Sequence, residues 1–546
     1  MRTPPTHPLI RALARDAEAG LMGRREFLTR ATALGLAVPL ASLPRPARAQ
    51  QMIQRGGTLR MQMTVRGLTD PRLFDWTEYA WFTSGWLETL VTYDNAGHIL
   101  PVLLAGWQVN EDASEYILDV RRGVVWSDGT PFTARDVARN IEGWCDTTLP
   151  GNSMAARMTA LIDPETGQLR EGAVTLQGDR RLRLRLAQPD ITLLAGMADY
   201  PAQITPEGFD PGTMLENPVG TGPYRPESHA TGEAAVLVRA EPQSWWGYAG
   251  GTGAYLDRIE FRDYGTDPLA WLDAAQAGEV DMLYETVGDF VEPMDALGWE
   301  RSEVESGATI TIRPNQNAVI DGRTPFADRR VRQGLAMAVS NPICLELGYA
   351  DHGLAARNFH VGPMHPEFAD LDGLPYDPAA GFARLRAAGF AETEFTLTSI
   401  DDGWRRATTD AVAAQLRDAG FKVAREVLPR HLFAPRWKEF PFSSTDWNHR
   451  PLGVQTLALA YRSGAAWNET GFASPEFDAL LARANALPDA ETRRGVMAKL
   501  QGMLRDEAVV IQPYWRKLYR HARPGLIGWD MHVGYLPQLA RIGFTV

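Results

Sequence analysis

A chain of 546 residues with 45% hydrophobic and 22% charged residues has the make-up of an ordinary globular protein, too long for one simple core and long enough for two or three lobes. Its 55 basic and 67 acidic residues give a formal charge of −12, which argues against nucleic acid and anionic membrane surfaces as partners. Two cysteines, Cys145 and Cys344, far apart and without CxxC or a Cys/His run at zinc spacing, allow at most one disulfide and point to no zinc site.

The first fifty residues read as an export signal. The pair Arg24-Arg25 is followed by Glu26-Phe27-Leu28, by a nearly charge-free apolar run from Ala31 to Leu43, and by Ala47-Arg48-Ala49 as a small-residue cleavage site. The run is too short for a membrane span. The Arg-Arg-x-Phe-Leu pattern resembles signals of the twin-arginine export route, which moves folded proteins. Residues 1–49 are therefore expected to be removed, leaving a soluble chain that starts near Gln50 in the periplasm. No cysteine follows the cleavage site, so no lipid anchor is expected. Those 49 residues carry eight arginines and three acidic residues, so their loss takes the formal charge to −17.

Beyond Gln50, short strands and capped helices alternate. Tyr116, Leu118 and Val120 alternate with polar residues as in a half-buried strand. Ser127-Asp128-Gly129-Thr130-Pro131 is a turn, and Thr133-Ala134-Arg135-Asp136 forms a capping box for a helix with Val137, Ile141 and Trp144 on one face. Val174 and Leu176, Gly178-Asp179, then Leu182, Leu184 and Leu186 read as a hairpin. Further strands are expected at 235–239, 257–262 and 280–284. Asp377-Pro378 and Ser474-Pro475 each place a capping side chain before an N1 proline, and Gly389 ends the first of these helices. The second carries a stripe of Phe477, Leu480, Leu481 and Ala484. Strands at 394–399 and 421–427 flank a helix from about 405 to 419 that stops at Gly420, a β-α-β unit implying parallel pairing. The fold class is α/β with mixed sheets.

Particular stretches carry a family resemblance. Pro101-Val102-Leu103-Leu104-Ala105-Gly106-Trp107 and the run from Arg121 to Val137 resemble the signature region of the peptide/nickel/opine class, family 5, of solute-binding proteins that serve ATP-binding-cassette importers. Asn217 to Tyr224, Ala277 to Asp281, Pro325 to Gln333 and Ser474 to Asp478 match in the same order. Most of these motifs have a structural reading: Gly220 and Gly222 permit a tight turn, Pro223 blocks further pairing, and Tyr224 packs. The resemblance implies a two-lobed periplasmic-binding-protein fold of the Venus-flytrap type. Lobe one would span 50–312 with an inserted subdomain at about 76–214, lobe two 313–507, and residues 508–546 would return to lobe one. The crossings would fall near 311–317 and 505–513, and solute would bind in the cleft and close the hinge.

In peptide-binding relatives the second lobe offers an acid after the strand that here precedes Trp447. This chain has Trp447-Asn448-His449-Arg450 there, basic instead of acidic, so ordinary dipeptide binding is not expected. Arg450 can clamp a carboxylate or phosphate, with His449 and Trp447 beside it, or it can form a structural ion pair. Asp401 and Asp402, followed by Trp404, stand at the C-terminal end of the 394–399 strand, where they can meet a cation or cap the next helix. Trp76 and Tyr79, clustered with Trp81 and Trp86, and Trp467-Asn468 are the remaining candidate contacts. Trp245-Trp246 reads as scaffold.

The expected function is a receptor that hands a peptide-like, opine-like or other zwitterionic or anionic solute to a membrane permease, as a monomer without catalytic residues, cofactor or metal. A metal-chelate receptor of the same fold is the alternative within the class, although His352, His360 and His365 fit no compact ligand set. An extracytoplasmic hydrolase is the alternative outside it; no G-x-S-x-G, H-E-x-x-H or phosphate-binding glycine loop is present.

Overall fold

The computed structural model describes residues 53–240, 245–250 and 253–546. The export signal and its cleavage site lie outside the described residues. An 11-stranded mixed sheet runs through both lobes. Its second-lobe end is formed by Lys422–Leu428, Glu394–Ile400 and Phe442–Trp447, and its first-lobe end by Met282–Leu283, Thr58–Gln62, Arg258–Arg262, Ala234–Arg239 and Tyr224–Ala230.

Two long strands join the ends. Glu300–Pro314 pairs antiparallel with Tyr514–Ala522 from Glu300↔Ala522 to Glu305↔Lys517, shifts register between Glu305 and Thr309, and then pairs with Phe442–Trp447 from Thr309↔Trp447 to Pro314↔Phe442. The shift occurs at Gly307, and the residue type has a steric cause. A Cβ there would lie 2.7 Å from His365 Cε1 and 2.8 Å from His449 Nδ1.

The β-α-β unit forms as its punctuation predicts. Glu394–Ile400 and Lys422–Leu428 pair in parallel across the whole of both strands, with helix Gly403–Asp418 between them and Gly420 at φ +98° closing the helix. The caps at Asp377 and Ser474 are both made, to Ala380 N and Phe477 N. Helix Pro475–Asn485 buries Phe477, Leu481 and Ala484, and Leu480 packs at the edge of the same core.

The first lobe carries a separate four-stranded antiparallel sheet in the order Leu104–Val109, Glu115–Val120, Arg181–Arg185, Val174–Leu176. Tyr116, Leu118, Val120, Leu182 and Leu184 are buried as the alternation requires, whereas Leu176 at the hairpin edge is exposed. Helix Ala134–Trp144 starts at the Thr133/Asp136 capping box, worth about 1 kcal/mol, and buries Val137, Ile141 and Trp144.

One expectation needs correction: the strand at 280–284 shortens to Met282–Leu283. Gly220 and Gly222 have a steric cause: a Cβ at Gly220 would sit 2.0 Å from the carbonyl oxygen of Trp86, and one at Gly222 2.5 Å from that of Gly85. Close approach of two backbones is what excludes a side chain here. Cys145 and Cys344 are both buried and free, with burial pushing each thiol up to about 12.

The largest apolar cluster is shared between lobes. It places Phe74, Tyr93, Leu194 and Tyr200 of the first with Trp447, Leu457, Trp467 and Phe477 of the second. The lobes are packed against each other along this seam.

Candidate functional site

Beyond the C-terminal end of strand Phe442–Trp447 the chain turns through His449 and Arg450 and meets the first lobe. Arg450 Nε lies 2.8 Å from Asp199 Oδ2, and both side chains are 3% exposed. Asp199 follows helix Leu193–Met197 of the inserted subdomain. The same oxygen accepts from Arg157 Nε at 2.9 Å and Nη2 at 2.5 Å, while Oδ1 accepts from Tyr200 N at 3.0 Å. Two guanidinium groups, one from each lobe, therefore converge on one buried carboxylate. Burial by itself raises a carboxyl, but Arg157 and Arg450 outweigh it and hold Asp199 below the usual range.

Aromatic rings enclose the cluster. Trp467 faces the guanidinium of Arg157 at 4.6 Å and that of Arg450 at 5.7 Å, stacks with Tyr200 at 6.4 Å and meets Trp447 edge-on at 5.7 Å. Tyr93 donates to the His449 carbonyl at 3.3 Å.

A second layer holds these rings. Glu469 accepts from Trp447 Nε1 at 2.8 Å and Thr445 Oγ1 at 2.6 Å and pairs with buried Arg313 at 2.7 Å. His449 accepts from Gly307 N at 3.1 Å and stacks on His365 at 5.2 Å. His360 bonds Tyr461 Oη at 2.8 Å and meets Trp447 edge-on. Burial keeps these imidazoles neutral, with His360 lowered to about 3 and His449 well below its ordinary value. Asn468 spends its amide on the carbonyls of Arg462 and Phe472, so it shapes the loop that presents Trp467.

The other sequence candidates gather elsewhere along the seam. Asp401 is half-exposed and pairs with Arg406. Asp402 occupies the N-cap of helix Gly403–Asp418 without making a capping bond; it pairs with Arg405 at 2.5 Å. Arg405 also forks onto Asp446 at 2.7 and 2.9 Å. Trp404 is buried between the guanidinium groups of Arg405 at 4.6 Å and Arg516 at 3.9 Å, and Arg516 pairs with Glu285. Trp76 offers its face to Arg66 at 4.3 Å, and Tyr79 stacks on Phe74 at 5.0 Å.

Sequence reading missed Arg157, Asp199 and Tyr200. They sit on loops of the inserted subdomain with no motif of their own. Trp245 and Trp246, read as scaffold, line a cavity of about 1160 Å³ in the first lobe, where both donate to Glu88 at 3.3 and 2.7 Å. Burial pushes Glu88 up to about 7. Tyr93 and Tyr200 form part of the same cavity wall and back onto His449 and Arg450. Among the described residues no group of three or more His, Cys, Asp or Glu side chains is arranged to hold a metal, and no helix is long and apolar enough to cross a membrane.

Residues 98–469 match the family described as bacterial extracellular solute-binding proteins, family 5 Middle. A probable peptide ABC transporter periplasmic-binding protein of Sinorhizobium fredii is 22% identical over 519 residues, covering 88% of this chain and 92% of that protein. Among solved structures, the periplasmic binding protein DppA from Helicobacter pylori in complex with the peptide STSA superposes with a TM-score of 0.78 at 19% identity, over 90% of this chain and 99% of that one. AgaA of A. tumefaciens R10 in complex with agropinic acid gives 0.77 at 17% identity, over 90% and 99% of the two chains.

Proposed function

The chain belongs to the bacterial extracellular solute-binding proteins of family 5, and on that premise we propose that its solute bears an acidic group held between the lobes at the Arg157–Asp199–Arg450 cluster. It is a solute-binding receptor of an ATP-binding-cassette importer and works outside the cytoplasm.

The observation that carries the proposal is the surplus of charge at Asp199. Two guanidinium groups share one carboxylate oxygen in a site closed off by Trp467, Tyr200 and Trp447. A buried positive excess in an apolar wall is costly unless an anion completes it. Arg450 already turns Nε to Asp199 and gives Nη1 to the carbonyls of Asn448 and His449, so a carboxylate or phosphate takes the charge-assisted bonds of Nη2, and the rings cover the apolar part of the solute. Asp199 and Arg450 lie on opposite lobes, so an anion at the cluster contacts both halves and favours the closed form. Peptide-like and opine-like acids fit this chemistry, and the agropinic acid bound by AgaA is a case in a protein of the same fold.

The finer points belong to the same proposal. Lobe one comprises 50–312 with the insert at about 76–214, lobe two 313–507, and 508–546 returns to lobe one; the register shift at Gly307 supports a hinge at the first crossing. Trp447, His449 and Trp467 act with Arg450 as contacts or their supports, and Asp402, Trp404, Trp76 and Tyr79 shape the other part of the seam. The chain is exported by the twin-arginine route to a Gram-negative-type periplasm, where it works unanchored and as a monomer.

Small-angle scattering tests the receptor cycle. Protein stripped of solute by denaturation and refolding should become more compact when the released small-molecule fraction is returned. Unchanged scattering at saturation contradicts closure on solute.

A further inference from the structure

At the seam position formed by Trp76, Arg66 and Glu78 of the first lobe and Asp402, Arg405 and Arg430 of the second, one guanidinium stands apart. Arg430 is the first residue of helix Arg430–Phe433, directly after the second strand of the β-α-β unit. Its side chain is 21% exposed, yet it donates no side-chain hydrogen bond among the described residues; its approaches to carboxylates are 3.6 Å to Asp402 and 3.9 Å to Glu78. Both acids are already engaged, Asp402 by Arg405 at 2.5 Å and Glu78 by Arg66 at 3.1 Å.

Other polar atoms at the same place are left over. Arg430 Nε, Arg66 Nε and Asp402 Oδ1 are each buried without a hydrogen-bond partner. A buried donor left unpaired costs about 1–3 kcal/mol, more when charged, and such groups in a folded protein call for an explanation. Arg66 is fixed by its stack on Trp76, so its Nε is presented in a defined direction. Two guanidinium donors, one from each lobe, are thus left for an acceptor.

The geometry points to a second anion-binding position between Arg66 and Arg430, taking a carboxylate, sulfonate or phosphate group of the solute. This rests on the receptor reading and narrows its substrate class: a solute with one acidic group at Arg450 and another at Arg430, hence a diacid or an amino diacid. Burial, with the like charges of Arg66 and Arg405, lowers the proton affinity of Arg430 although Asp402 and Glu78 pull the other way. A planar fork is needed for paired bonds, so lysine does not replace it fully.

The probes are glutarate, its neutral diamide glutaramide and inorganic sulfate, titrated by calorimetry at constant ionic strength into wild type, Arg430→Gln and Arg430→Lys. Wild type is expected to bind glutarate at least tenfold tighter than glutaramide. Arg430→Gln should lose at least tenfold for glutarate and for sulfate, with Arg430→Lys between the two and ligand-free melts unchanged. Equal glutarate affinity in Arg430→Gln, or no binding of either anion by wild type, overturns the position. If Arg430→Gln melts early, wild-type crystals soaked in selenate decide: an anomalous peak between Arg66 and Arg430 is expected, and its absence overturns the proposal. A released natural solute that closes wild type and Arg430→Gln equally tightly removes this position and leaves the receptor standing. One that closes neither removes both.

Discussion

Arg450 and Asp199, far apart in sequence, form a buried ion pair of 2.8 Å that links the two lobes. Arg157, stacked on Trp467, completes the arrangement by meeting the same carboxylate from the first lobe.

Replacing Arg450 by Ala should weaken binding of the released acidic solute by about 2–5 kcal/mol, because the solute anion is left desolvated and unpaired. Arg450→Lys should recover part, since the charge remains but the fork is lost. Calorimetry checks both, and undiminished affinity in Arg450→Ala would assign the residue to structure alone.

Asp199→Asn should lower the stability of the solute-free protein by about 3–5 kcal/mol, the range for breaking a buried pair and stranding its partner charges. Here two guanidinium groups, both nearly inaccessible, would be stranded. Denaturant melts measure the loss, and sulfate should restore part of it. A variant as stable as wild type would mean that water already screens the cluster.

Two glycines should behave differently. Gly220→Ala places a Cβ 2.0 Å from the Trp86 carbonyl and should cost on the order of 3 kcal/mol or prevent folding. Gly129 has φ +89° and nothing within 4 Å, so Gly129→Ala meets backbone strain alone, about 1–2 kcal/mol. Equal thermal shifts for the two variants would contradict the close approach of the 85–86 and 220–222 backbones.

Histidine 360 should make acid stability worse. Its folded value of about 3 lies below the 6.5 of an unfolded imidazole, so below pH 6.5 the unfolded chain binds a proton that the folded one does not. The stabilisation by its neutral form is lost as pH falls from 6.5 toward 3. His360→Gln removes this term, so its stability relative to wild type should rise as pH is lowered across that window. Melts at pH 7 and pH 5 compare the two; a difference that does not change with pH is the contrary result. Glu88, raised to about 7 from 4.5, acts in the opposite direction between pH 4.5 and 7 and is unaffected by the substitution.

Cys145 and Cys344 should react with a thiol reagent after denaturation and resist it in the native state, since both are buried and raised to about 12. Peptide mapping without reductant that recovered a crosslinked pair would contradict the structure.

Local chemistry was legible from the residues. The Thr133/Asp136 box, the Asp377 and Ser474 caps and the parallel strands around Gly420 form where short-range signals place them, because a cap needs nothing beyond its own helix turn. The candidate cluster was legible in part. Arg450 and Trp467 stand out by type and by position after a strand or before a capped helix. Their partners do not: Arg157 and Asp199 lie 42 residues apart on irregular loops, and only the fold brings them to Arg450. Asp402 occupies the position of a cap, but Arg405 one turn further on, itself held by Asp446 on the neighbouring strand, draws it into an ion-pair network instead. Trp76 gave no sign in the sequence that Arg66 lies over its face.

The central claim is that the lobes close on an acidic solute. Mass spectrometry of the small molecule released by denaturing protein isolated from a periplasmic extract tests it most directly. The account predicts a stoichiometric compound carrying at least one carboxylate, sulfonate or phosphate. A released solute that is neutral, or purely cationic, would contradict it.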